Sequence, residues 1–255
     1  MYNSPKAKTT SLMVLLVSVF LLSALAGVGK VSAAGPYDWP MFHHDLQHTG
    51  YSTSPAPNTN QTLWTYTAVS GVDSAPAVVD GRVYVGSWDK NIYCLDAATG
   101  TLVWNYTTGG MVDSSPAVAD GRVYVGSNDD KVYCLDAATG ALIWDYTTGG
   151  DILYSSPAVA DGKVYVGSND MKVWCLNAAN GAYIWSYRTG GMMGYSDPSV
   201  ANGVVYIGSW DKKVYAFSAG PPIPEGLTIG VMMLLSTVAV IVSTRYFRKR
   251  PKIEN

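Results

Sequence analysis

Positive charge is scarce in the body of this chain. Residues 35–220 hold 9 lysines and arginines against 17 aspartates and no glutamate, a balance of 9 − 17 = −8, and the remaining basic residues sit in the two tails. That argues against nucleic-acid binding, which needs a positive surface for phosphates. An acidic region built only from aspartate suits positively charged partners instead. Cysteine is also sparse. The chain has Cys94, Cys134 and Cys175, with no two adjacent. They recur at steps of 40 and 41 residues, and the next such place holds Ala216. A site that accepts both alanine and cysteine calls for a small apolar residue, so free, packed thiols are expected and no disulfide. Histidine occurs three times, as His43, His44 and His48. His44 and His48 could share a helical face and hold a metal, but packing of this segment against the main body is the simpler reading, and no metal is expected. Nor does any loop carry the dense acidic run that calcium takes.

Against these absences stands a repeat. Asp73–Gly109 and Asp113–Gly149 are near-verbatim copies. From its proline onward the first reads PAVVDGRVYVGSWDKNIYCLDAATGTLVWNYTTG, and the second reads PAVADGRVYVGSNDDKVYCLDAATGALIWDYTTG. A third copy runs from Ser155 to Gly190, and a fourth from Ser196 to near Phe217. Pro76, Pro116, Pro157 and Pro198 mark the period, as do Trp64, Trp104, Trp144 and Trp185. Forty residues filled with short alternating runs is the period of a β-propeller blade. Each copy divides into four strand-like runs; in the second they are about 115–119, 122–127, 131–136 and 142–147. The first two runs meet at Asp80-Gly81, Asp120-Gly121, Asp161-Gly162 or Asn202-Gly203, pairs that accept positive φ and so predict tight hairpins. The fourth copy lacks its last run. An unmatched run of that type, Leu63-Trp-Thr-Tyr-Thr67, precedes the first copy. The expected fold is therefore all-β, a propeller of four four-stranded blades closed by the N-terminal strand, which removes exposed strand edges. Four repeats also make half of a larger ring completed by a second chain as a homodimer; the closing strand favours the single-chain ring.

The ends carry their own signals. Residues 1–34 read as a secretory signal peptide with Lys6 and Lys8, an apolar run from Ser11 to Gly29 and small residues at Val31-Ser32-Ala33. Residues 35–61 form a lead-in, 62–218 the propeller and 219–226 a Gly/Pro-rich linker. Residues 227–244 are 18 uncharged residues, long enough for a transmembrane helix, and the basic tail 245–255 follows. This topology predicts a single-pass protein of the cell membrane with its propeller outside. The start of this segment, its apolar run and its basic end also resemble C-terminal sorting signals of some archaeal surface proteins, which would imply removal of the tail. Asn60 and Asn105 fit the glycosylation sequon.

Ala97-Ala-Thr-Gly100…Trp104 recurs as Ala137-Ala-Thr-Gly140…Trp144, and the Gly-to-Trp spacing reappears in Gly181…Trp185. On these motifs, and on the lead-in Trp39–Gly50, the chain resembles the PQQ-like β-propeller repeat family over about residues 38–218. The resemblance implies a docking role for Trp64, Trp104, Trp144 and Trp185 over the turns at Gly100, Gly140 and Gly181. Quinone-dependent dehydrogenases of that family carry their cofactor over calcium on a Glu/Asn/Asp set, commonly beside a disulfide of adjacent cysteines. This chain has neither a glutamate in its repeats nor the adjacent cysteines. A non-catalytic member without cofactor is expected.

A propeller is a scaffold, so function is sought where the blades differ. One face should carry Trp88-Asp89, Asn128-Asp129, Asn169-Asp170 and Trp210-Asp211, with Asp73, Asp113, Tyr154, Tyr195, Met111, Ile152, Leu153, Met192 and Met193 from the blade-to-blade loops. The in-phase aspartates read as caps of their own turns. Trp88, Trp210, Tyr154 and Tyr195, with Asp73 and Asp113, are the candidate ligand-binding residues, because exposed aromatics beside acids form binding surfaces. The expected function is an anchored binding module for an extracellular protein or glycan. The alternatives are an envelope assembly factor, by resemblance to the PQQ-like outer-membrane assembly lipoprotein, and, less well supported, a quinone-dependent oxidoreductase.

Overall fold

A computed structural model describes residues 38–218. The signal peptide, linker, apolar span and basic tail expected from the sequence lie outside the described residues. Every regular element described is a strand, and the strands form four antiparallel sheets in chain order. The first sheet is β1 (Ala77–Val79), β2 (Arg82–Gly86), β3 (Asn91–Asp96) and β4 (Leu102–Thr107). The second is β5 (Ala117–Ala119), β6 (Arg122–Gly126), β7 (Lys131–Asp136) and β8 (Leu142–Thr147). The third is β9 (Ala158–Ala160), β10 (Lys163–Ser168), β11 (Lys172–Asn177) and β12 (Tyr183–Arg188). The fourth is β13 (Ser199–Ala201), β14 (Val204–Ser209) and β15 (Lys213–Ser218). Each is a blade whose strands are hydrogen-bonded in sequence order.

The hairpins follow from their residues. Asp120 and Gly121 have φ of 52° and 69°, and the other three copies repeat these values closely. Two left-handed residues in succession match the twist of the flanking strands. Burial then separates inner from outer strands. β3, β7 and β11 are buried along their middle four residues on both faces, because a blade packs on each side. β4 and β8 bury chiefly the tryptophan and leave most of the strand exposed.

Successive blades meet through one repeated joint. The indole of Trp104 lies over the turn of the second blade and donates Nε1–H to the Ala137 carbonyl at 3.1 Å; Trp144 does the same to Ala178 at 3.0 Å. The turn can approach so closely only because it has no side chain there. A Cβ on Gly140 or Gly181 would lie 2.7 or 2.8 Å from the indole, at φ of 73° and 71°. The Tyr84 and Tyr124 hydroxyls donate to the same two carbonyls at 3.2 Å. At the inner strands the Ala75 amide donates to Ser115 Oγ, the Ser115 amide to Ser156 Oγ, and the Ser156 amide to Asp197 Oδ1. Cys94, Cys134 and Cys175 are the cross-strand partners of Trp104, Trp144 and Trp185. A small residue at that place leaves room for the indole.

The fourth blade departs from the expected closure. Residues 63–67 belong to no strand, and among the described residues β15 pairs with β14 alone. The segment nevertheless sits where an outer strand of a preceding blade would. Trp64 donates Nε1–H to the Ala97 carbonyl at 3.0 Å and its ring covers Gly100. Trp64, Tyr66 and Ala68 pack on Val83, Val85, Tyr93 and Leu95 of the first blade. The lead-in lies along the inner strands: Trp39 bridges to Val78, Pro40 accepts from Val118, and Leu46 accepts from Val200. It thereby ties the first, second and fourth blades together, with His48 Nδ1 3.1 Å from the Ser199 hydroxyl.

Two glycines separate conformational strain from packing. Gly140→Ala meets both the positive φ and the Trp104 ring, so it should cost about 2–5 kcal/mol, combining left-handed strain and overpacking. Gly121→Ala has a similar φ but open space around it, and should cost only about 1–2 kcal/mol. Urea unfolding of the two variants beside the parent checks the ordering; equal losses would mean that the indole contact contributes nothing.

Candidate functional site

The in-phase aspartates act in the framework. Asp129 Oδ1 accepts from the Lys131 amide at 3.3 Å, while Oδ2 accepts from the Gly109 amide at 2.7 Å and from the Tyr133 hydroxyl at 2.5 Å. One side chain thus fixes its own turn, a core tyrosine and the strand leaving the preceding blade. Asp89, Asp170 and Asp211 repeat the set with Val69, Gly149 and Gly190 and with Tyr93, Trp174 and Tyr215. For Asp89, burial works against ionisation, but the hydrogen bonds from Tyr93, Asn91 and Val69 outweigh it and hold its carboxyl below the usual range. Burial and the same carboxylate push the Tyr93 phenol up to about 12.

The residues that differ between blades gather on the same face. Tyr154 stacks on Tyr195 at 5.2 Å and Tyr195 on Trp210 at 5.3 Å, with interplanar angles of 28° and 21°. Trp210, Tyr195 and Trp88 are 59%, 48% and 41% exposed. The Tyr154 hydroxyl crosses from the third blade to the first and donates to Asp73 Oδ2 at 3.2 Å. Burial, then the carboxylates of Asp113 and Asp73, raise that phenol above its ordinary range. Trp88 Nε1–H donates to Asp113 Oδ1, and Asn128 Nδ2 donates to Oδ2 at 2.9 Å. Asp113 is buried and spans the joint between first and second blades. Its two oxygens are therefore committed to orienting Trp88 and Asn128, whereas Asp73 remains exposed beside the aromatic row.

Two loop residues expected on this surface are not there. Ile152 and Met193 are fully buried. Together with Val112 they wedge against Gly126, Gly167 and Gly86, where an added Cβ would come within 2.1–2.6 Å of wedge atoms. An apolar pair such as Ile152-Leu153 or Met192-Met193 carries no mark of which member turns inward. The usable signal is the glycine at or next to the end of each second strand. Met111 and Met192 stay exposed, at 48% and 37%, and extend the apolar surface.

Among the described residues no three histidine, cysteine, aspartate or glutamate side chains converge as a metal site. The cysteines are free and buried, one in each of the first three blades. Burial pushes the thiols of Cys134 and Cys175 up to about 12 and 11 and raises that of Cys94 as well. The donor set and paired cysteines of a calcium-held quinone are not supplied by these residues.

The family model described as outer membrane protein assembly factor BamB matches residues 53–155 and 131–220. The chain belongs to the PQQ-like repeat family. Among solved structures of this fold, BamB from Moraxella catarrhalis is 23% identical, with a TM-score of 0.53 over 61% of this chain and 49% of its own. The quinohemoprotein alcohol dehydrogenase ADHIIG from Pseudomonas putida HK5 is 22% identical, with a TM-score of 0.60 over 72% of this chain and 39% of its own. The computationally designed Ika4 protein is 19% identical, with a TM-score of 0.56 over 64% of this chain and all of its own. These likenesses show the fold. The PQQ-like chain spans about half the length of BamB and less of the dehydrogenase. No curated protein matches it.

Two measurements follow, one from the buried thiols and one from the half-buried Asp197. Native protein at pH 8 should leave Cys94, Cys134 and Cys175 unlabelled by iodoacetamide, and all three should label in denaturant; labelling of the native thiols would contradict their burial. Asp197 is the second case. Burial raises its carboxyl above the ordinary 3.8, against the hydrogen bond from Ser156 and the pull of His48. A raised native pKa means that the group favours folding most below pH 3.8 and loses that contribution as pH rises through the native pKa. Asp197→Asn should therefore raise the thermal midpoint at neutral pH, with the gain fading toward about pH 3.5; thermal melts across that range check it.

Proposed function

We propose that this PQQ-like propeller is a non-catalytic binding module held at the cell surface, engaging an extracellular protein or glycan through its aromatic loop face. The observation that carries the reading is the row Tyr154, Tyr195 and Trp210, with Trp88 on the same face and Asp73 beside it. These rings are rigid, partly exposed and held by their own contacts, so little side-chain entropy is lost when a partner covers them. The direction of the chain fits this reading. β15 starts beside Trp210 on the loop face and ends at Ser218 on the opposite face. If residues 227–244 anchor the protein, this end point on the far face is compatible with an aromatic face that points away from the membrane. The same proposal gives Leu63–Thr67 the role of the missing outer strand of a fourth blade, since that segment already holds an outer-strand position against the first blade.

A second reading has specific support. The family match is to an assembly factor and BamB shares the fold, which favours a role in assembling envelope proteins. In that case the partners would be membrane insertion components, not surface proteins or glycans.

Binding of the full chain to surface-protein extracts and glycan arrays separates these readings. Trp210→Ala, Tyr195→Ala and Trp88→Ala should each weaken binding on the order of 10-fold to 100-fold, as for interface hot spots. Tyr183→Ala, an exposed aromatic on β12, should leave it unchanged. Wild-type binding by all three loop-face variants would remove the assigned site, and capture of insertion components alone would favour the assembly reading.

A further inference from the structure

Among the described residues the array of blades has two unfinished ends, and each carries half of the joint that links its neighbours. At the fourth blade, Tyr206 occupies the place of Tyr84, Tyr124 and Tyr165. Those three are 2%, 1% and 8% exposed, whereas Tyr206 is 42% exposed. On β15, Val214 is 78% exposed, and among the described residues the strand has one free edge. Gly208 occupies the place of Gly86, Gly126 and Gly167, but among the described residues only Ser196 of its own blade comes near it. The first blade presents the other halves. Val72, the counterpart of the wedges Val112, Ile152 and Met193, is 53% exposed. Leu63 on the strand-like segment is 79% exposed. The Ala97 carbonyl holds Trp64 as Ala137 holds Trp104, and the Tyr84 counterpart that would complete the set is Tyr206.

These halves do not meet within the chain. Inner strands β1 and β5, β5 and β9, and β9 and β13 approach one another in turn, and β13 does not approach β1 in that way. The three complete joints are close copies and so impose nearly one rotation per blade. After three such steps the half-joints of the first and fourth blades are still exposed, while the lead-in touches the first, second and fourth blades. A second copy related by a two-fold axis presents the complementary half-joint at both gaps, so the two contacts together make one closed, isologous interface.

We propose that two copies of this chain form one continuous ring of 4 + 4 = 8 blades, each completing the other's fourth blade. Leu63–Thr67 of each copy becomes the missing outer strand beside β15 of its partner. The register follows from the other blades. Asn91 faces Thr107 and Lys131 faces Thr147, so Lys213 faces the partner's Thr67; Cys94 faces Trp104, so Ala216 faces the partner's Trp64. Alanine at 216 is then the small residue opposite a docking indole, as cysteine is elsewhere. On the loop face, Trp210 comes beside the partner's Asp73, as Trp88 does beside Asp113. This inference does not depend on the ligand reading, since a ring forms or fails without any ligand.

The test is a cross-link in the full chain, purified in mild detergent and carrying Thr67→Cys with Lys213→Cys. Both positions are exposed and the natural thiols are buried. Mild oxidation should give a product of twice the chain mass on a non-reducing gel, and neither single variant should give a disulfide between these two positions. An intrachain disulfide at single-chain mass would overturn the proposal, as would free thiols with wild type running as a monomer in light scattering. Val72→Asp provides a second readout. It should convert the wild-type dimer to a monomer with an unchanged β-sheet circular-dichroism spectrum, and a persistent dimer would also overturn it.

Discussion

The fold depends on one contact, an indole laid across a turn that has no side chain. Gly100, Gly140 and Gly181 allow approaches that a Cβ would block, and Trp64, Trp104 and Trp144 use the space. The same indole donates its N–H to the turn's alanine carbonyl, so apolar area is buried without stranding a donor. Everything else in the joint is arranged around that seat. Cysteine is small because it faces the tryptophan across the sheet, and the tyrosine hydroxyl shares the indole's carbonyl. The in-phase aspartate secures the strand leading away. Repeating one joint makes blade orientation a local property, so each blade is positioned by its neighbour and not by the whole chain.

Much of this is legible in the sequence because repetition tests every reading several times. Asp-Gly hairpins, docking tryptophans and turn-capping aspartates each recur, and a chance motif would not stay in phase. The wedges are not legible. Ile152 and Met193 look like loop residues because their burial depends on a glycine in another run, Gly126 or Gly167, and not on their own neighbours. Asp113 reads in the sequence as a candidate ligand contact, yet its oxygens are taken by Trp88 and Asn128 across a joint. The unmatched outer run around Trp64 is visible from the repeat alone, but its pairing is not, because sequence gives the number of repeats and not the rotation between them.

The candidate site follows the same logic from the opposite side. Near-identical blades place equivalent residues on one face, so a site arises there only by breaking the pattern. At the place of Trp88 and Trp210 the middle blades carry Asn128 and Asn169. At the first joint Trp88 and Asn128 both serve as donors to Asp113, so either residue type meets the joint's need there. The one-residue insertion before Ser155 brings Tyr154 far enough over the axis to reach Asp73. Sequence variation is therefore concentrated where the scaffold does not fix the residue, and the aromatic row is assembled from those freed positions of the third and fourth blades.

Repetition also constrains how the array ends. A row of identical joints terminates either in special capping blades or by meeting itself. Among the described residues the fourth blade lacks an outer strand, yet it keeps the Tyr206 and Gly208 of an internal joint, with a small Ala216 where the other blades have cysteine. Surfaces shaped for internal joints bind one another wherever they are exposed, and if the rotation did not close they would propagate as a filament. Two copies that exhaust both ends leave nothing on which to propagate. In the proposed pair the repeated joint acts twice, first to order blades within a chain and then to limit how many chains assemble.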